Sequence, residues 1–310
     1  MKDISVVIPV YNSEECVAEI SRQIADALKD FSYEQIMVND ASRDGSWAEI
    51  EKVCAKNPRV VGVNLRKNGG QDSAILAGLN LAQGKYVVIM DDDLQHSPYD
   101  IPKLRAEIEK GFDVVYADFE TKKQKLWKNL GSWFNGKISE VAIGKPRNVY
   151  LSPFKIVERG VVQEMIRYEN LFPYIDGLIF QTTRNISQIK IEHHERTLGK
   201  SNYSFAKSVK VFLRMLFAFS TAPLMLSSFV GMFSAFVGLV LAVVYFIDFL
   251  RGKADVTGWT TIVILILILG GLILLSLGVA GVYIGRVYLT VSRSPKFLVK
   301  QVVNPHEKEN

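Results

Sequence analysis

Three consecutive carboxylates, Asp91 to Asp93, follow an apolar run that begins at Val87. Such a run is typical of a strand buried on both faces of a parallel sheet, and open α/β sheets bind ligands just beyond the carboxyl ends of such strands. Asp91 and Asp93 are two positions apart, so both point to the same side of an extended segment. Oxygen donors arranged in this way suit Mg²⁺ or Mn²⁺, with nucleotide phosphates completing the coordination shell. A solvated acidic loop is the competing interpretation of these residues alone.

The elements that position these acids alternate along the first ninety residues. Apolar runs predict strands at residues 4–10, 35–40, 60–65 and 87–90, with helical segments between them. Asn12, with Glu15 three residues later, predicts a capping box at the start of the first helix. Strands that alternate with helices predict a mostly parallel sheet with right-handed crossovers. The first strand-to-helix turn lacks a GxGxxG motif, which argues against a dinucleotide-binding fold.

Composition separates a globular part of the chain from an apolar part. The chain has 310 residues, 48% of them hydrophobic, and a formal net charge of +5. This mildly basic charge gives no argument for nucleic-acid binding, and most of the apolar surplus lies after residue 214. Cys16 and Cys54 fall in predicted helices of a chain that begins without a signal peptide pattern. This predicts reduced cysteines in a cytosolic domain.

Two long apolar segments, residues 223–249 and 259–285, predict membrane spans. Each exceeds the roughly 20 residues needed to cross a bilayer. An even number of spans places both termini on one side of the membrane, and most of the flanking Lys and Arg residues lie on that side. The positive-inside rule therefore predicts a multi-pass protein of the cytoplasmic membrane with its catalytic domain and both termini in the cytoplasm.

Residues 204–221 carry three basic side chains at helical spacing beside an apolar stripe, which predicts an amphipathic helix in the membrane interface. The sequence thus predicts a cytosolic domain of residues 1–203, this interfacial helix, a two-helix transmembrane domain of residues 222–291 and a cytosolic tail of residues 292–310. Lysines and tryptophans between residues 122 and 138 suit a membrane surface or single-stranded nucleic acid, and the apolar segments that follow favour the membrane.

Four motifs in this order resemble those of the family 2 glycosyltransferases: residues 9–12 (PVYN), 39–46 (NDASRDGS), 68–70 (NGG) and 91–96 (DDDLQH). The resemblance implies a GT-A fold and a nucleotide-diphosphate sugar donor, such as a UDP- or GDP-sugar. It further implies that Pro9, Tyr11 and Asp40 contact the base and ribose. The family pattern usually has Glu where this chain has Ser13, and Glu14 is the candidate to replace it.

The same resemblance implies a metal site formed by Asp91, Asp93 and Gln95. A divalent ion there would neutralise the charge that develops on the departing diphosphate. Relatives often have an arginine facing the diphosphate shortly after the strand that ends near Tyr116. This chain has none at residues 117–119, and Lys122 or Lys123 is either its replacement or part of a solvated charge run.

Later segments, residues 196–203, 281–288 and 294–297, resemble the bacterial polyprenyl-phosphate glycosyltransferases related to dolichyl-phosphate mannose synthase. The resemblance implies that Arg196 clamps the diphosphate, with Lys200 as a second cation, because a planar guanidinium suits phosphate oxygens. It also implies that Asp176 acts as the base toward the acceptor, and a helix N-cap is the competing role for this residue. Strands are expected at residues 148–154 and, at a sheet edge, 186–192.

The leading hypothesis is an inverting glycosyltransferase that moves a sugar from a nucleotide-diphosphate donor to undecaprenyl phosphate, for modification of a cell-envelope glycan or glycolipid. A phosphate monoester is largely dianionic near neutral pH, so a base would have little to do. One alternative is a hydroxyl acceptor on a lipid-linked saccharide or glycolipid, and another is a non-catalytic membrane scaffold that binds nucleotide sugars. Relatives are often oligomeric, which implies a homo-oligomer. Two spans and the lack of a QxxRW motif argue against a processive synthase.

Overall fold

A computed structural model of the chain describes residues 2–119, 149–168, 173–191, 222–251, 258–292 and 295–305. The chain divides into two compact units. The first unit comprises residues 1–203 and 293–310, and the second comprises residues 204–292. The chain therefore leaves the first unit, forms the second and returns to the first.

The first unit is built on one eight-stranded sheet with the order β7-β5-β6-β4-β1-β2-β3-β8. The strands are β1 (Ile4–Val10), β2 (Tyr33–Asn39), β3 (Val60–Leu65), β4 (Tyr86–Ile89), β5 (Val114–Phe119), β6 (Lys155–Glu158), β7 (Ile186–Ile191) and β8 (Val299–Val303). Strands β4, β1, β2 and β3 run parallel, whereas β6 is antiparallel to β4 and β5. The predicted mostly parallel α/β sheet is confirmed, and β7 lies at an edge as expected.

Helices connect these strands and cover the sheet. They are α1 (Glu14–Ala27), α2 (Ser46–Lys56), α3 (Gln71–Leu79), a short 3₁₀ turn (Pro98–Asp100), α4 (Ile101–Ile108), α5 (Arg159–Arg167) and α6 (Ile175–Thr182). Helix α3 packs very closely on the sheet, because a Cβ added at Gly78 would lie 2.5 Å from Cγ1 of Val7. The small residues of this helix therefore set its distance from β1.

Strand β8 joins the sheet from the far end of the chain. It pairs antiparallel with β3, and the Arg66 N–H donates to the Leu298 carbonyl at 2.7 Å. The Asn304 side chain donates to the carbonyls of Cys54 and Val60 at 2.8 and 3.1 Å. The segment predicted only as a tail thus forms an edge of the sheet.

Two local predictions were wrong. Residues 149–154 form no strand, and β6 begins only at Lys155, because Pro153 has no N–H with which to join a sheet ladder. The N-cap of α1 is Ser13, without a side-chain cap bond, rather than Asn12. Asn12 has a φ of 53°, and its Oδ1 accepts from the Arg43 N–H at 2.9 Å. The Asn12 side chain therefore joins two loops instead of capping a helix.

The second unit contains two long apolar helices, α7 (Ala222–Leu250) and α8 (Trp259–Val291). Among the described residues, Pro223–Leu241 and Ile268–Leu289 are long and apolar enough to cross a membrane, and no part of either stretch is buried. Large apolar side chains such as Phe233 and Leu274 are 69% and 71% exposed, which suits contact with lipid. The predicted interfacial helix at residues 204–221 lies outside the described residues.

Candidate active site

The loops at the carboxyl ends of β1 to β4 lie at one edge of the sheet and contain unusual backbone conformations. Among the described residues, four that are not glycine have positive φ, and three of them lie in these loops: Asn12 at 53°, Ala41 at 52° and Leu94 at 58°. Gly70, in the loop after β3, has a φ of 87°. Strained backbone clusters at functional sites, so this concentration marks the same edge that the sequence predicts.

Asp91 and Asp93 lie in the loop that follows β4. Asp91 Oδ1 accepts from Gln71 Nε2 at 2.5 Å, and Asp93 Oδ1 accepts from the Gln95 N–H at 3.1 Å. Burial, together with the charges of Asp93 and Asp92, raises the pKa of Asp91 from 3.8 to about 7. Carboxylates that repel one another in this way suit a divalent cation, because its charge would relieve the repulsion.

The protein would supply only part of a metal's coordination shell. No group of three or more His, Cys, Asp or Glu side chains arranged to hold a metal occurs in the part of the chain that the structure describes. Two carboxylates with hard oxygen atoms leave several positions for other oxygens. This arrangement fits Mg²⁺ or Mn²⁺ held between protein carboxylates and the phosphates of a ligand.

Asp92, which the sequence analysis did not single out, connects two of the loops. Its Oδ2 accepts from the Tyr11 N–H at 3.2 Å, and the Ser13 hydroxyl donates to the Tyr11 carbonyl at 3.3 Å. Burial raises the pKa of Asp92, and the nearby Ser13 side chain and Tyr11 N–H oppose the shift. The middle acid of the three therefore holds the loop that carries Tyr11. The alternation of side chains along an extended segment could have signalled that Asp92 points away from its neighbours.

Asp40 organises the loop between β3 and α3. It is 3% exposed, and its two carboxylate oxygens accept from the N–H groups of Gly69 and Gly70 at 2.7 and 2.9 Å. Burial raises the pKa of Asp40, although both backbone bonds oppose the shift. The residues predicted to contact a nucleotide are thus tied into the loops around them, and direct contact of Asp40 with ribose stays a prediction.

Pro9 and Glu14 lie on either side of the loop that carries Tyr11. Pro9 is buried within β1 and pairs with Val38 of β2. Glu14 Oε2 accepts from the Gly45 N–H at 2.9 Å, which joins the start of α1 to the loop before α2. The Tyr11 side chain is 47% exposed and therefore accessible to a ligand. The proposed nucleotide contacts of these three residues remain predictions.

A second group of polar residues surrounds Asp176, the second residue of α6. The N-cap of this helix is Tyr174, so the N-cap interpretation of Asp176 was wrong. Asp176 Oδ1 accepts from the Tyr116 hydroxyl at 2.9 Å and from the Lys155 ammonium. Asp72 lies nearby, and its Oδ1 accepts from the Ile175 N–H at 3.2 Å. Burial raises the pKa of Asp72 from 3.8 to about 6.

The first turn of α3 connects the two groups of acids. Gln71 donates to Asp91, and the adjacent Asp72 accepts from the backbone of α6. Just before them, Gly69 and Gly70 donate to Asp40. The segment from residue 68 to residue 72 therefore contacts Asp40 and Asp91 of the predicted donor side, and it also contacts the helix that carries Asp176. The predicted cations Arg196, Lys200, Lys122 and Lys123 lie outside the described residues.

Residues 5–165 match the sequence model of the family described as Glycosyl transferase family 2. The chain belongs to this family. It is 33% identical over 313 residues to the undecaprenyl-phosphate 4-deoxy-4-formamido-L-arabinose transferase of Photorhabdus laumondii, a match that covers 99% of this chain and 96% of that protein. The predicted family and the prediction that the chain is a glycosyltransferase are therefore confirmed.

Solved structures show the same fold at low sequence identity. Glucosyl-3-phosphoglycerate synthase from Mycobacterium tuberculosis, in complex with Mn²⁺, uridine diphosphate and phosphoglyceric acid, matches with a TM-score of 0.52 and 18% identity over 69% of this chain and 78% of that one. A further mycobacterial protein matches with a TM-score of 0.52 and 18% identity over 70% of this chain and 75% of that one. These matches confirm the predicted GT-A fold.

Proposed function

We propose that this glycosyltransferase moves a sugar from a nucleotide-diphosphate donor to undecaprenyl phosphate at the cytoplasmic face of the membrane, with inversion at the sugar. The observation that carries the proposal is similarity over 99% of the chain to a relative named for that lipid phosphate. The similarity extends beyond the α/β domain and includes both apolar helices. Such helices would keep the enzyme at the bilayer, where the isoprenoid tail of its acceptor stays.

The donor would bind at the carboxyl ends of β1 to β4. Asp91 and Asp93 would hold Mg²⁺ or Mn²⁺, and the Mycobacterium tuberculosis synthase, crystallised with Mn²⁺ and uridine diphosphate, gives a precedent within the same fold. When bound, the ion supplies charge that stabilises the departing diphosphate. The carboxylates of Asp40 and Asp92 would keep the loops of Gly70 and Tyr11 in place around the nucleotide.

The acceptor would bind on the side of Asp176. A lipid phosphate reaches the site largely as a dianion, so its oxygen is nucleophilic without loss of a proton. Most of the rate enhancement would then come from positioning and from stabilisation of the leaving group. The contacts of Asp176 with Lys155 and Tyr116 are consistent with a role in positioning, because they fix the orientation of the carboxylate.

The proposed membrane topology places both ends of the chain in the cytoplasm. Strand β8, which follows the second apolar helix, pairs with β3 of the domain that precedes the first helix. Two spans joined in this way enter and leave the membrane on the same side. The excess of Lys and Arg residues on that side supports a cytoplasmic location.

The test is a transfer assay with the purified full-length enzyme, undecaprenyl phosphate and a panel of nucleotide-diphosphate sugars, one of which carries the sugar of the Photorhabdus relative. We expect a lipid-linked sugar phosphate, detected by mass spectrometry, that requires Mg²⁺ or Mn²⁺. Asp93→Ala should lower turnover by about 100-fold or more, because a catalytic metal is worth several kcal/mol. Asp30→Ala, at an exposed position after α1, is the matched control and should leave turnover unchanged.

Three results would contradict parts of the proposal. Absence of a lipid-linked product with every donor would refute the activity on undecaprenyl phosphate. A product whose mass places the sugar on the hydroxyl of a lipid-linked saccharide would refute the phosphate acceptor but retain the donor site. Full activity of Asp93→Ala would refute the metal assignment.

A further inference from the structure

Lys155 is a buried lysine that none of the family motifs includes. It is the first residue of β6, is 3% exposed, and contacts Asp176 through its ammonium. The same ammonium lies 5.0 Å from the centre of the Tyr116 ring. Burial of an ammonium group is costly unless it is paired, and the contact with Asp176 offsets that cost.

The position of Lys155 in the sheet places it beside both groups of acids. It pairs with Ile89 of β4, two residues before Asp91, and with Tyr116 of β5. Burial raises the pKa of Asp91 and of Asp72, and the charge of Lys155 opposes both shifts. The positive charge of Lys155 therefore stabilises the ionised forms of acids on both the donor side and the acceptor side.

The contacts of Asp176 use only one of its two carboxylate oxygens. Oδ1 accepts from both Tyr116 and Lys155. No donor to Oδ2 is found among the described residues, and the Asp176 side chain remains 16% exposed, against 4% for that of Lys155. The lysine thus fixes the carboxylate from the protein side while the other oxygen remains available.

We propose that Lys155 is a positioning residue for sugar transfer, which acts by holding Asp176 through Oδ1 and by offsetting the negative charge of this carboxylate beside the dianionic acceptor phosphate. This inference rests on the proposed function, and it makes Lys155 act only through Asp176. Two other roles are physically distinct. A purely structural lysine would affect folding alone, and a lysine that bound a substrate phosphate would act independently of Asp176.

The test is a double-mutant cycle in the full-length enzyme with Lys155→Met, Asp176→Asn and the combined variant. Lys155→Met should lower kcat on the order of 100-fold, as expected for a misplaced group, with little change in the KM for the donor. Lys155→Arg keeps the charge in a bulkier group, so it should lower kcat less than Lys155→Met does. The combined variant should be no slower than Asp176→Asn alone, since Lys155 then has nothing to position.

Lys85→Met is the matched control. Lys85 also lies over a tyrosine ring, 4.8 Å from the centre of Tyr86, but it precedes β4 at the opposite end of that strand from Asp91. Its replacement should leave kcat unchanged. Melting temperatures of all variants separate loss of folding from loss of turnover, and the combined variant avoids an unpaired buried carboxylate if Lys155→Met does not fold.

Each outcome decides between the three roles. Losses that multiply in the combined variant would overturn the proposal in favour of a direct substrate contact. A folded Lys155→Met enzyme with wild-type kcat would overturn it in favour of a structural role. A wild-type enzyme that forms no lipid-linked sugar would refute the proposed function, and the inference with it, which is a different result from either of these.

Discussion

Replacement of Gly70 by alanine isolates the contribution of one backbone conformation to donor binding. Gly70 has a φ of 87° and a ψ of 163°, a region that essentially only glycine adopts. A Cβ added there would meet no atom within 4 Å, so the substitution causes no steric clash. The substitution should therefore destabilise the folded protein through backbone strain alone, by about 1–3 kcal/mol if the loop keeps its conformation.

Relaxation of that strain would disturb Asp40. The Gly70 N–H donates to Asp40 Oδ2 at 2.9 Å, and a rotation of the backbone would remove this donor. A buried carboxylate that loses a hydrogen bond costs about 1–3 kcal/mol. If about 1.4 kcal/mol of this total appears in donor binding, the KM for the nucleotide sugar rises about tenfold. We expect both a lower melting temperature and a weaker affinity for the donor.

The assay measures melting temperature with and without nucleotide, together with the KM for the donor. Gly111→Ala is the control, because Gly111 also has positive φ, at 100°, and open space around it, but it lies in the turn between α4 and β5. It should lower the melting temperature without changing the donor KM. Equal effects of the two variants on donor KM, or a Gly70→Ala enzyme identical to wild type, would refute the reasoning.

Three further predictions concern stability. Burial raises the pKa of Asp72 from 3.8 to about 6, so the Asp72 carboxylate destabilises the folded protein increasingly as the pH rises from about 4 to about 6. Asp72→Asn should therefore raise the free energy of unfolding by up to about 3 kcal/mol at pH 7 and by little at pH 4. A difference between the two proteins that does not depend on pH in urea titrations would contradict this prediction. Removal of residues 295–310 should expose the edge of β3 and cause the protein to aggregate, which gel filtration would detect. Removal of residues 306–310 keeps β8 and should cause no aggregation. Gly78→Ala should cost about 1–3 kcal/mol in thermal unfolding because its Cβ would lie 2.5 Å from Val7, and a variant as stable as wild type would show that α3 can move away from the sheet.

The repeating part of the domain could be predicted from local sequence. Strands β1 to β4 each contain a run of mostly apolar residues that is soon followed by polar residues, and this pattern is expected for burial on both faces of a parallel sheet. The site acids Asp40 and Asp91 could be found in the same way, because each comes just after such a run. Local pattern and overall fold agree in this region, so the prediction was reliable there.

Features that depend on distant partners could not be predicted. Strand β8 pairs with β3 across more than two hundred residues of chain, and its short sequence, VKQVV, equally suits an exposed tail. Lys155 looks like a surface residue in a short strand until β5 and α6 place Tyr116 and Asp176 beside it. The pairing of β8 and the burial of Lys155 both depend on tertiary contacts, which the local pattern of apolar and polar residues does not reveal.

The place of β8 in the sheet has a consequence for how the protein is made. Synthesis proceeds from the amino terminus, and domains generally fold as units in that order. The catalytic unit, however, needs Val299–Val303, which the ribosome releases only after both apolar helices have been synthesised. Until then the edge of β3 stays unpaired and open to association with other chains. The complete eight-stranded sheet can therefore form only on chains whose two long apolar helices have already been synthesised.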